Sequence, residues 1–206
     1  MCSSDLLPRH VLDAMRQPLE DGRVVVARAA HAVGFPARFQ LVAAANPCPC
    51  GHAMSPDGRC QCTAAEIERY RARLSGPLAD RIDLHVHVGT VDVATLGRGH
   101  GEEPSARVRE RVIRARERQR ARWARHGAAR ANADVTGRAL AVHGGVTDEA
   151  RAMLEQAAAR LGLSARGYHR ALKVARTIAD LDGADTVGVA AVGEALAFRP
   201  TASRGS

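Results

Sequence analysis

The stretch Phe39-Gln40-Leu41-Val42-Ala43-Ala44-Ala45-Asn46-Pro47-Cys48-Pro49-Cys50-Gly51 carries most of what this 206-residue chain says about its fold. Phe39 to Ala44 is a mainly apolar run of strand length, the pattern of a strand buried on both faces rather than one with a wet side. Asn46-Pro47 stops it, because the residue before proline is pushed out of the helical region and Asn-Pro starts turns. Cys48-Pro49-Cys50 then opens a loop that closes after nine intervening residues at Cys60-Gln61-Cys62. A strand that must be covered on both sides implies a layered α/β core, with the cysteine loop, residues 46–63, added to it.

Upstream, Val11 to Leu19 reads as a short helix with Val11, Leu12, Met15 and Leu19 on one side, ended by Asp21-Gly22. Arg23 to Ala27 is the expected hairpin partner of Phe39 to Ala44. Downstream, Thr63 and Glu66 form the two halves of a capping box for a helix over residues 64–74, and Ser75-Gly76-Pro77 breaks it. Leu84 to Val88 alternates as a strand does, which sets His85 and His87 on one face; with no third ligand beside them they read as ordinary strand residues. Thr95 to Pro104, rich in glycine and charge, reads as a linker between a domain over residues 1–94 and another over residues 105–206. The second is helical throughout, with helices over 105–126, 148–161, 165–181 and 187–198 and with Ser105, Thr147 and Ser164 as caps of the first three.

Composition narrows the class. With 46% apolar and 25% charged residues the chain is not disordered as a whole. No run of about eighteen apolar residues and no basic-then-apolar amino terminus occurs, so we expect no membrane partner, no secretion signal and a cytoplasmic location. Aromatic residues make up 3%, which leaves Leu, Val and Ala to fill the core. The formal charge is +8, and most of the excess lies in Ser105 to His126, where nine arginines face Glu110 and Glu117. Such a helix is either a solvated, partly salt-bridged surface or a contact for a phosphate backbone or an acidic neighbouring subunit. The only lysine, Lys173, follows Leu172, so the chain contains no Gly-Lys-Ser/Thr phosphate loop. It also has no Gly-x-Ser-x-Gly and no His-Glu-x-x-His, which excludes self-contained enzymes of those types.

Cys48, Cys50, Cys60 and Cys62 are the sharpest constellation. In a reduced compartment two close pairs across a Gly/Pro-containing loop favour metal over disulfides, and Zn²⁺ suits four thiolates in a closed, structural site. His52 could replace one cysteine, and a reduced, metal-free loop is the alternative. Cys2 has no assigned role.

Four further segments carry a resemblance. They are Arg16-Gln17-Pro18-Leu19-Glu20-Asp21-Gly22, Asn46-Pro47-Cys48-Pro49-Cys50-Gly51, Leu74-Ser75-Gly76-Pro77-Leu78-Ala79-Asp80-Arg81-Ile82-Asp83-Leu84, and Ser164-Ala165-Arg166-Gly167-Tyr168-His169-Arg170 continuing through Val174 to Leu181. In this order they resemble the magnesium-chelatase-like AAA+ ATPases of the ComM/YifB group, over Leu7 to Arg199. The resemblance implies the carboxy-terminal half of an αβα AAA+ core followed by an all-helical lid, with the phosphate loop and the Asp-Glu pair that holds Mg²⁺ upstream of Leu7. It implies an ATP-driven ring, a homo-oligomer of hexameric type, acting on DNA in recombination or uptake, and inactive without the missing half. A chelatase-type motor for metal insertion into porphyrin, or a zinc-stabilised nucleic-acid-binding module, are the alternatives.

The same resemblance assigns residues. Asn46 falls at the sensor 1 position, orienting attacking water; read alone it is a turn residue. Arg81 falls at the arginine finger, which neutralises charge on the transferred phosphoryl group across a subunit boundary; read alone it pairs with Asp80 or Asp83. Arg166, in the first turn of its helix, falls at sensor 2, where a helix amino terminus already favours phosphate. Arg170 and Arg176 either line the nucleotide cleft with it or lie on a solvated helix face.

Overall fold

The computed structural model describes residues 9–28, 31–55, 57–74, 76–89, 103–127 and 131–199. The chain divides into two units, one of Met1–Ile82 with His87–Val91 and one of Asp83–Val86 with Asp92–Ser206. Cys2 and residues 95–102 of the expected linker lie outside the described residues.

The first unit opens with two short helices, α1 (Arg9–Ala14) and α2 (Arg16–Asp21). Gly22 ends α2 in the left-handed region at φ 65°, its N–H donating to the carbonyl of Pro18, a conformation that costs other residues a steric penalty. An antiparallel hairpin follows, β1 (Arg23–Arg28) on β2 (His31–Pro36), in register from Arg23 opposite Pro36 to Arg28 opposite His31. The partner of β1 is therefore His31–Pro36 and not Phe39–Ala44, which pairs with no strand among the described residues. The correction has a physical cause. A strand shaped for burial on both faces needs neighbours on both edges and layers above and below. Here Phe39 and Val42 are exposed, Val42 at 84%. Leu84 to Val88 likewise forms no strand, and Leu84, Val86 and Val88 are exposed.

Helices α3 (Ala64–Arg71) and α4 (Gly76–Ala79) complete this unit. Thr63 and Glu66 make the expected capping box: the Glu66 N–H donates to Thr63 Oγ1 at 3.3 Å and the Thr63 N–H to Glu66 Oε2 at 2.8 Å. Among the described residues of the unit, only Cys48 and Leu78 are fully buried.

The second unit is a helical bundle: α5 (Ser105–Trp123), a 3₁₀ turn (Asn132–Asp134), α6 (Gly137–His143), α7 (Asp148–Leu161), α8 (Ala165–Leu181) and α9 (Val189–Ala197). Thr147 and Ser164 cap α7 and α8, accepting from the N–H groups of Ala150 and Gly167 at 3.2 and 3.1 Å. Ser105 does not cap α5: the cap position is Pro104, with no side-chain hydrogen bond. Helix α8 is central and packs against α5, α6, α7 and α9. Its Ala171, Leu172, Ala175, Ile178 and Ala179 meet Trp123, Leu140, Leu154, Val187 and Val192 in one core. As the low aromatic content requires, alanine and leucine supply most of it. Among the described residues no helix is long and apolar enough to cross a membrane.

Candidate functional site

The loop after Asn46 folds back so that all four cysteine sulfurs come together, each Sγ within 4.8 Å of the others. Cys48 Sγ lies 3.3 Å from Cys50 Sγ and 3.8 Å from Cys60 Sγ, and Cys50 Sγ lies 3.7 Å from Cys60 Sγ. These are not disulfide distances, and all four thiols are free. They are close to the edge of a tetrahedron around an ion bound at about 2.3 Å per sulfur, about 3.8 Å. Tight turns make the approach possible: the Gly51 N–H donates to the Cys48 carbonyl at 3.0 Å, with Gly51 at φ 82°. The Ala53 N–H donates to Cys48 Sγ at 3.2 Å.

The sulfurs are electrostatically unequal. Cys50 is lowered to about 6, chiefly by the backbone N–H of His52, then by the Cys48 thiol and the backbone of Gln61. For Cys62 the largest influence, the backbone of Cys50, pulls down, but the Cys50 thiol, burial and Cys48 outweigh it and push the group up to about 12. Cys60 is raised in the same way, the pull of the Cys62 backbone being outweighed by burial and by the thiols of Cys50 and Cys48. Four thiols this close cannot all ionise without a cation among them. With one, they could hold it.

The other residues named from sequence are divided between the two units. In the first unit Asn46 is exposed at the mouth of the cysteine loop. Arg81 follows the buried Leu78 by one turn, its N–H donating to the Leu78 carbonyl at 2.9 Å, and its guanidinium pairs with Glu20 rather than with Asp80 or Asp83. Glu20 sits in the Arg16–Gly22 segment, sixty-one residues away, and no local pattern announces the pair. In the second unit Arg166 is exposed in the first turn of α8, and Arg170, one turn on, donates Nη1 to Asp83 Oδ1 at 2.5 Å.

Arg176 neither lines a cleft nor faces solvent. It is wholly buried and donates to the carbonyls of Gly144, Ala184 and Asp185 and to Asp180 Oδ1, at 3.0, 2.6, 2.9 and 3.0 Å. Burial pulls its pKa below the ordinary arginine value, and Asp180 opposes that pull. Asp180 also accepts from both terminal nitrogens of Arg122 and from Asn132 Nδ2, and Asn132 Oδ1 accepts from the Trp123 indole N–H at 2.9 Å. This is a structural network. Its one visible sign in the sequence is the i, i+4 spacing of Arg176 and Asp180.

Residues 5–96 match the family model for magnesium chelatase, subunit ChlI, and residues 102–199 match that for its C-terminal part. The chain is 44% identical to the competence protein ComM of Haemophilus influenzae over 192 residues, 93% of this chain and 36% of that protein. It is 39% identical to YifB of Escherichia coli over 192 residues, 93% of this chain and 37% of that protein, and 45% identical to an uncharacterised protein of Mycobacterium tuberculosis over 193 residues, 94% and 38%. This chain belongs to the magnesium-chelatase-like ComM/YifB family. It spans a little over a third of the length of these ComM/YifB relatives. Two of the segments that mark the ComM/YifB resemblance, Arg16–Gly22 and Leu74–Leu84, meet through Glu20 and Arg81. The Asn46–Gly51 segment supplies half of the cysteine cluster, and the segment from Ser164 to Leu181 forms α8 with its cap.

Proposed function

We propose that this chain is the sensor-, finger- and lid-bearing portion of an ATP-driven AAA+ ring motor that acts on DNA. The observation that carries this reading is the match of both family models, in order and nearly end to end, to a chain that contains no phosphate loop of its own. The remainder of the longer protein would hold ATP and Mg²⁺ and would cover Phe39, Val42 and the hairpin valines, which this chain leaves exposed.

Each residue then has a role. Asn46 orients the attacking water. Arg81, released from Glu20, neutralises the charge that grows on the transferred phosphoryl group of a neighbouring subunit's nucleotide. Arg166 adds a cation to the anion-favouring amino terminus of α8. The bundle around α8 is the lid, and the active assembly is a hexameric ring. Cys48, Cys50, Cys60 and Cys62 hold one structural Zn²⁺, which closes the loop where hydrophobic burial is scarce. DNA meets the exposed side of α5: among the described residues no carboxylate pairs with Arg107, Arg109, Arg114, Arg116 or Arg120, whereas Arg111, Arg118 and Arg122 pair with Glu103, Asp185 and Asp180.

The test is ATP turnover by the full-length protein. Arg81→Ala should lower it by about 10³–10⁵ and leave thermal unfolding unchanged. Arg166→Ala should abolish it by weakening nucleotide binding. Full activity in either variant refutes the role assigned to that arginine. A second reading, a zinc-stabilised nucleic-acid-binding module that needs no ATP, is favoured by the same cysteine cluster and open arginines. It predicts DNA binding by this chain alone, unaffected by nucleotide.

A further inference from the structure

The four cysteines of the first unit are not equally open to solvent. Cys48 is buried, Cys50 is exposed, and Cys60 and Cys62 lie between these extremes. The exposed sulfur and the buried one are also neighbours. Cys50 Sγ lies 3.3 Å from Cys48 Sγ, against 3.7 Å from Cys60 Sγ, and Cys48 Sγ lies 3.8 Å from Cys60 Sγ. A disulfide closes at about 2.05 Å, so of these three approaches Cys48 to Cys50 is the shortest, roughly 1.3 Å.

A dissolved oxidant reacts with the sulfur it can reach, and the product that follows depends on which thiol stands beside that sulfur. Exposure singles out Cys50 for the first event. The buried Cys48, shielded from the oxidant but in contact with Cys50, is placed for the second.

We infer that Cys50 is an oxidation site for hydroperoxides and that Cys48 is its resolving thiol, so that peroxide turns the ion-holding loop into a disulfide-closed one. This inference rests on the metal-site reading of the cysteine loop given above. In the metal-free loop, Cys50 Sγ attacks one oxygen of hydrogen peroxide. An S–O bond forms, the O–O bond breaks, and the departing hydroxide takes the thiol proton and leaves as water. Cys50 is then a sulfenic acid. Cys48 Sγ attacks the Cys50 sulfur, the S–S bond forms, the S–O bond breaks, and the hydroxyl leaves with the Cys48 proton as a second water. Sulfur is oxidised and peroxide oxygen reduced. When the thiols start as thiolates on an ion, the same bonds form and break and solvent supplies the two protons. Once joined, Cys48 and Cys50 no longer offer thiolates, and Cys60 and Cys62 alone cannot complete a four-sulfur site.

The experiment uses the full-length protein, loaded with Zn²⁺ in one arm and stripped by a chelator in the other. Each arm is treated with hydrogen peroxide, alkylated and cut with trypsin. Cleavage after Arg38, Arg59 and Arg69 separates the two cysteine pairs into the peptides Phe39–Arg59 and Cys60–Arg69. A disulfide between Cys48 and Cys50 leaves Phe39–Arg59 unlinked and lighter by two hydrogens, whereas a bond from either of them to Cys60 or Cys62 joins the peptides. The light, unlinked peptide should be the first disulfide product in both arms. In the loaded arm a colorimetric chelator should record the loss of the bound Zn²⁺ in step with it. With a cyclic 1,3-dione present to trap sulfenic acid, Cys48→Ser should accumulate the adduct at Cys50, and Cys50→Ser should slow oxidation of the loop at least about tenfold. Linked peptides as the first product, an adduct that appears first on Cys60 or Cys62, thiols left intact in the loaded arm, or Zn²⁺ retained after the disulfide has formed each overturn the inference. If the protein takes up no Zn²⁺, the metal reading falls, and the peptide map of the stripped arm still decides the oxidation site.

Discussion

Zinc binding by the four cysteines should weaken by at least about 100-fold when the pH falls from about 8 to about 7. The metal accepts thiolates, so every thiol still protonated in the free protein must release its proton on binding. Cys62, pushed up to about 12, and Cys60, raised as well, keep their protons across this range, whereas Cys50, lowered to about 6, has largely lost its own. At least two protons therefore leave for each ion bound, and each contributes a factor of ten per pH unit. The sign follows from the direction of the shifts: a raised thiol pKa means a bound proton at neutral pH, so affinity rises as pH rises. Below Cys50's value of about 6 a further proton joins, and the dependence steepens by about another tenfold per unit. Competition with a colorimetric chelator, corrected for the chelator's own titration, gives the slope. Calorimetry in buffers of different ionisation enthalpy counts the protons directly. One proton or fewer per ion, or an affinity flat between about pH 7 and about pH 8, would refute the arrangement of thiols derived from this loop.

Asp180→Ala removes the carboxylate that four hydrogen bonds converge on and leaves Arg176 charged and buried, so urea unfolding should show a loss of about 3–5 kcal/mol; a loss below about 1 kcal/mol would mean the network does not hold the bundle. Gly137→Ala would place its Cβ 2.3 Å from His169 Nδ1, so the ring must shift, and the expected cost is about 1–3 kcal/mol despite alanine's better helix propensity. If unfolding midpoints of the two proteins coincide, the packing of His169 on Gly137 is looser than this distance requires. Replacing Arg107, Arg109, Arg114 and Arg116 together by Gln should flatten the dependence of duplex DNA affinity on salt, by about 0.9 in log–log slope for each phosphate that is no longer neutralised. An unaltered slope removes α5 from the DNA surface.

What the sequence made legible was the chemistry that works at short range. Thr63, Thr147 and Ser164 each need only a backbone N–H three residues on, and all three caps form as their spacing requires. The cysteine cluster is almost as local, since two Cys-x-Cys pairs and an intervening turn suffice to bring the sulfurs together. Pairings that depend on distant partners were hidden. Glu20 meets Arg81 and Asp83 meets Arg170 across sixty-one and eighty-seven residues, and neither acid stands at a spacing that marks its partner. Arg176 was ambiguous for a related reason: a cation inside an amphipathic helix can face water or carbonyls, and only the turn at Ala184 and Asp185 decides. The short helix Gly137–His143 went unread because seven residues give too little periodicity to stand out.

Phe39 to Ala44 is the instructive failure, because its apolar pattern and its exposure have one cause. Strand propensity largely measures how well side chains pack on neighbouring strands and covering layers, so a central strand has little reason to form where those are lacking. The first unit buries only Cys48 and Leu78 among its described residues, and two side chains at about 1.5–3 kcal/mol each cannot offset an ordering cost of about 1–2 kcal/mol per residue. The helical bundle meets the same cost with a continuous core and the hydrogen bonds that converge on Asp180. On the proposed reading, two other sources of order would act on the first unit, an ion among the cysteines and polypeptide laid over Phe39, Val42 and the β1–β2 hairpin. They can be separated experimentally. Chelation should loosen the loop from Cys48 to Cys62 and leave the exposure of Phe39 and Val42 unaltered, whereas the full-length protein should protect Phe39–Ala44 from hydrogen exchange with or without metal. If Phe39–Ala44 exchanges as fast in the full-length protein as in this chain, its apolar pattern does not belong to a buried strand.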